Sequence, residues 1–162
     1  MKKNSINQVP PNIWNEPYIT LTRRELVRRF NEYNRLYFNN ILPPCRINMT
    51  KKEGCRGSYV APSQNDTRIY IPKYAFWTDT SLKLVLIHEM CHHYVHTFYP
   101  SRWNYHIFHH GKKFNNVCKM LKKKYGLKVK VTELPTVYYY HEKIPTTFWQ
   151  KLWREHWGPS FN

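Results

Sequence analysis

The chain has 162 residues, room for one domain with a real core but not for several. Lys and Arg total 26 against 10 Asp and Glu, a net charge of +16, which makes a polyanion, nucleic acid ahead of a membrane surface, the expected partner; solubility is the alternative reading of that charge. No stretch approaches a membrane span or a greasy basic helix, so a membrane partner is not expected.

Residues 1–19 open with two lysines followed by polar residues and prolines rather than an apolar secretory core. They read as an extended lead-in, and the expected location is cytoplasmic, with association to the nucleoid allowed by the charge. "TRRELVRRFNEYNRLYF" is the first predicted helix. Thr22 and Glu25 stand at capping-box spacing, and Leu26, Phe30, Tyr33 and Tyr37 share one face. Arg23, Arg24, Arg28, Arg29 and Arg35 cover much of the rest, and "NNILPPC" ends the helix because Pro43 and Pro44 cannot continue it.

Three short β-like pieces follow: "CRINMT", "GSYVAP" and "RIYIP". Turn-rich segments separate them, and they read as a small antiparallel sheet. Ile69 and Ile71 should face the core, with Arg68 and Tyr70 on the other side. "DTSLKLVLIHEMCHHYVHTF" is the second helix, with a cap near Asp79 to Ser81. The third, "GKKFNNVCKMLKKKYG", has an apolar stripe of Phe114, Val117, Cys118 and Leu121, and Gly126 as its stop. "LKVKVTEL" alternates and predicts a strand. In the tail, Trp149, Trp153 and Trp157 recur every four residues along one predicted helical face. Cys45, Cys55, Cys91 and Cys118 form no CxxC pair and read as thiols, a Cys45–Cys55 bridge being the disfavoured alternative.

The second helix carries the chemistry. His88 and His92 are four apart, so both can reach one metal ion from the same helical face. Glu89 lies beside the first of them, where its carboxylate can meet a water without binding the metal. Cys91 and His93 should point elsewhere, and His96 could extend the ligand face. Catalytic zinc usually has three protein ligands, so another must come from elsewhere. The Gly and His that would continue a metzincin motif are replaced by Val95 and Phe98. Glu133, Glu142 and Glu155 have no second acidic residue at helical spacing to support them. His110 is the better source: it precedes Gly111, where the backbone can approach closely, and Phe114 can pin the following helix. His109 is its nearest rival, ahead of His106.

"HEMCHH" followed by "HHGKKF", after "NRLYFNNILPPCRI" and a short sheet, resembles the SprT-like (Spartan-like) zinc metallopeptidase domain, over about residues 20 to 130. That resemblance implies an α+β, zincin-like minimal metallopeptidase, in which a small antiparallel sheet packs on the HExxH helix and its flanking helices. It implies one zinc ion held by His88, His92 and His110, with Glu89 as catalytic base in a gluzincin or SprT-like mechanism. The expected organisation is a lead-in at 1–19, a metallopeptidase domain at 20–132 and an aromatic-rich extension at 133–162 packed on it. Tyr94, Tyr99, Tyr105 and His106 are the candidate donors for the developing oxyanion.

Likeness and charge together suggest a monomeric endopeptidase acting on DNA-associated or DNA-crosslinked proteins, as in DNA repair. Arg23, Arg24, Arg28, Arg29, Lys112, Lys113, Lys119, Lys122, Lys123 and Lys124 are the candidate phosphate contacts, with Lys128 and Lys130 adjoining. The zinc ribbon that family members often carry has no counterpart, since no CxxC pair follows residue 118. The alternative is a nucleic-acid-binding protein whose zinc site is structural or catalytically silent.

Overall fold

The computed structural model describes residues 15–52, 54–99 and 110–139, and within them the protein is a small α+β fold of three helices and two small sheets. β1 (Tyr18–Ile19) pairs antiparallel with β5 (Trp77–Thr78). α1 (Arg23–Tyr37) is capped by Thr22, whose hydroxyl accepts from the Glu25 amide at 3.1 Å. The helix stops before the prolines: Asn39 and Asn40 take the left-handed conformation that asparagine tolerates. Asn34 then fixes the turn by donating to the Leu42 carbonyl at 3.0 Å and accepting from its amide at 3.2 Å.

β2 (Arg46–Thr50), β3 (Ser58–Ser63) and β4 (Asp66–Pro72) form a sheet in the order β2-β4-β3. This sheet is mixed, not antiparallel as the sequence suggested. After β2 the chain passes beyond the central position to lay down β3, then returns through a tight hairpin into the gap as β4. The hairpin makes β3 and β4 antiparallel, and β4 therefore runs parallel to β2. Thr67, Ile69 and Ile71 of β4 face inward, and Arg68 and Tyr70 are half-exposed on the other side.

α2 (Asp79–Phe98) is fixed at its start by a capping box between Thr78 and Ser81. Glu16 adds to this by accepting from the Thr80 amide at 2.9 Å and from its hydroxyl. Glu16 and β1 are thus docked on the body, although they were read as part of the lead-in. α3 (Lys112–Tyr125) starts after Gly111 and ends at Gly126, which sits at φ 71° as a left-handed C-terminal cap.

The core joins Leu26 and Phe30 of α1, Ile47, Ile69 and Ile71 of the sheet, Leu82, Val85, Leu86 and Met90 of α2, and Phe114, Val117 and Leu121 of α3. From Val85 to His93 every residue of α2 is buried, because sheet, α1 and α3 all pack on it.

"LKVKVTEL" is not a strand. Residues 127–134 form an extended stretch and a turn, closed by amides of Glu133 and Leu134 donating to the Lys130 carbonyl. Leu127 and Val129 are buried and Lys128 exposed, so the alternation reports real burial without a partner strand. All four cysteines are thiols. Among the described residues no helix is long and apolar enough to cross a membrane. The tail tryptophans, Tyr105, His106, His109, Glu142 and Glu155 lie outside the described residues.

Candidate metal centre

His88 and His92 project from the same face of α2, and His110 enters from the turn that leads into α3. One donor atom from each lies within 4.8 Å of the other two. Nε2 of His110 is 3.2 Å from Nε2 of His88, close to the separation of about 3.3 Å that two nitrogens at 2.0–2.1 Å from one tetrahedral ion require.

The second nitrogen of His88 settles its tautomer. Nδ1 is 2.6 Å from the carbonyl of Val129, which can only accept, so Nδ1 carries the proton and Nε2 presents a lone pair to the cluster. Burial holds the imidazole down at about 4, against the pull of that carbonyl, so the ring is neutral and fit to bind a metal. Phe114 seats the cluster from below. Its ring centroid is 5.0 Å from that of His88, 4.4 Å from His92 and 4.8 Å from His110.

His93 and Cys91 point away from this cluster. His93 donates from Nε2 to the Pro43 carbonyl at 2.9 Å, and its Nδ1, 3.3 Å from the Tyr59 hydroxyl, accepts in return. Burial lowers its pKa. Cys91 is buried against Cys118 of α3. The donor set at the cluster is therefore three imidazoles, a chemistry that suits zinc, and these residues fit such an ion.

The cluster opens into a cavity of about 640 Å³ that Glu89 also lines. Glu89 is only 4% exposed, and burial pushes its carboxyl up to about 8. Positive charge held beside it by the histidines would act in the opposite sense and favour the ionised form. One wall of the cavity is the segment from Gly54 to Tyr59, and the other comes from Val131 to Tyr139. The walls are tied together: Arg56 Nη1 donates to the Val131 carbonyl at 2.9 Å, and the Tyr139 hydroxyl donates to the Cys55 carbonyl.

Of the tyrosines proposed as oxyanion donors, Tyr94 packs among Phe38, Phe98 and Tyr99, and neither it nor Tyr99 lines the cavity. Tyr59, Tyr139 and Arg56 do. Sequence gave no signal for them, because they reach the site from segments without motif spacing. Glu133 is no ligand either, as it pairs with Lys122 at 2.7 Å.

The candidate phosphate contacts divide. Arg23, Arg24, Lys112, Lys113, Lys119, Lys122, Lys123 and Lys124 are exposed. Arg28 is exposed but held by Glu25 and Glu32. Arg29 is buried and bonded to Glu25, Asp79 and Tyr33, so it joins α1 to α2 instead of facing a partner.

A family model for the SprT-like family matches residues 26–133, more than half of the chain and a span that includes every residue of the cluster. Comparison with curated proteins gives no match.

Proposed function

The chain belongs to the SprT-like family, and from that premise we propose that it is a zinc-dependent metalloendopeptidase acting on DNA-associated or DNA-crosslinked proteins. The observation that carries the proposal is the convergence of His88, His92 and His110 on one point of a cavity that Glu89 also lines. A zincin-like plan is supported by the helix that carries His88 and His92, the short sheet packed on it and His110 arriving from the turn before the next helix.

His88, His92 and His110 would hold the ion, which when bound supplies an acidified water and a Lewis acid for the scissile carbonyl. Glu89 would be the base that accepts a proton from the attacking water and passes it to the departing amine. Glu89 is 4% exposed, which limits the access of bulk water to its carboxylate. Val129 fixes the His88 ring through its carbonyl, and Phe114 fixes all three rings by contact.

The exposed lysines of α3 start two residues after His110, which would let a phosphate backbone lie near a protein entering the site. The same lysines support the second reading, a nucleic-acid-binding protein with a silent zinc site. Cleavage of a DNA-bound basic protein, with and without DNA and with the Glu89→Gln variant as control, separates the two. DNA-stimulated cleavage that the variant lacks supports the peptidase. DNA binding with zinc present and no cleavage supports the rival.

A further inference from the structure

Gly57 stands immediately before β3 and lines the cavity next to Glu89. Its backbone does not demand a glycine, since the left-handed glycines among the described residues are Gly54 and Gly126. Space demands it. A methyl group on its α-carbon would stand 2.8 Å from Oε1 of Glu89, 3.2 Å from Cγ of the same side chain and 3.1 Å from Cγ1 of Val85. Carbon atoms in good contact lie about 3.5–4.0 Å apart, so something would have to yield.

The neighbours differ in what they can give. Val85 is fully buried in the core and β-branched, which leaves it little rotational freedom. The Glu89 carboxylate ends a longer, rotatable side chain. The added methyl would therefore displace the carboxylate while leaving the two histidines of α2 where they are.

We infer that Gly57 is a positioning residue for Glu89: its missing side chain is the space in which the carboxylate is held for proton transfer. This rests on the metallopeptidase reading for its catalytic consequence, whereas the packing claim stands on the distances alone. It also explains why a residue 32 positions before the metal helix's glutamate is glycine in a segment with no turn requirement at that point.

The test compares wild type, Gly57→Ala, Glu89→Ala and the double variant. With one zinc per chain retained, Gly57→Ala should lower kcat on a protein substrate by about a hundredfold and leave KM within about twofold, because a displacement near 1 Å at a catalytic group costs on that order. A kcat within about threefold of wild type, or a loss confined to KM, overturns the inference. Thermal melting supplies a readout that does not depend on activity. Gly57→Ala should lower the melting midpoint more in the wild-type background than in the Glu89→Ala background, where the contact with Val85 remains but the opposing carboxylate is gone. An equal drop in both backgrounds overturns the inference. If wild type itself cleaves nothing, the peptidase reading fails, and the melting cycle alone decides the contact.

Discussion

The proposed function gives Glu89 and His110 separable duties, and single substitutions should part them. Glu89→Gln keeps the shape and the three imidazoles, so it should bind zinc as wild type does and lose about 10²–10⁴-fold in cleavage rate. Retained cleavage would remove Glu89 from the chemistry. Phe114 touches all three imidazoles of the cluster and is buried, so Phe114→Ala should cost about 3–5 kcal/mol by denaturant melting and weaken zinc retention in a chelator competition. A variant that melts lower yet holds zinc as tightly would limit Phe114 to packing. That His88 and His92 share a helix face was legible in sequence because a four-residue spacing fixes it, and Glu89 was placed by standing next to the first of them. His110 was legible only through the Gly111 and Phe114 beside it. Val129 was not, since a backbone carbonyl brought in from 41 residues away leaves no trace in residue identity.

At the scale of elements, helix boundaries were readable from caps and stripes, whereas strand partners were not. Alternation in "LKVKVTEL" told correctly which residues are buried, but the polar backbone there serves His88 and a turn instead of a neighbouring strand. Likewise nothing local distinguishes a β2 that runs parallel to β4 from one that runs against it, because direction is set by where β3 is laid down. The start of α1 makes a pH prediction. Hydrogen bonds from Arg28 and Arg29 hold the Glu25 carboxyl down at about 2, despite some opposition from burial. A depressed carboxylate stabilises the fold above its unfolded value near 4.5, and the contribution fades as pH falls from there toward 2. Glu25→Gln should therefore melt about 1–3 °C lower than wild type at pH 7, converging with it near pH 2, with the gap reduced by salt because the pair is partly exposed. A gap that widens on acidification would contradict this assignment. Thr78→Ala should cost about 1 kcal/mol by removing the cap of the helix that carries His88 and His92.

Over the whole molecule, a net charge of +16 is a sequence fact, but its distribution is a fold fact. Arg29 shows the difference, being spent on a buried joint between α1 and α2. Lys112, Lys119 and Lys123 instead align on one exposed stripe of α3. If that stripe lies on DNA, replacing the three by Gln should weaken binding and flatten the plot of log affinity against log salt by about 2–3 units, near 0.9 per lost phosphate contact. An unchanged slope would move the DNA surface elsewhere. The proposed chemistry depends on one ion at one place, which elemental analysis of purified protein measures directly. Wild type should carry about one zinc per chain, and His110→Ala, folded by circular dichroism, should carry almost none. A wild-type chain that neither holds nor takes up zinc, or a His110→Ala chain that keeps it fully, would contradict the account.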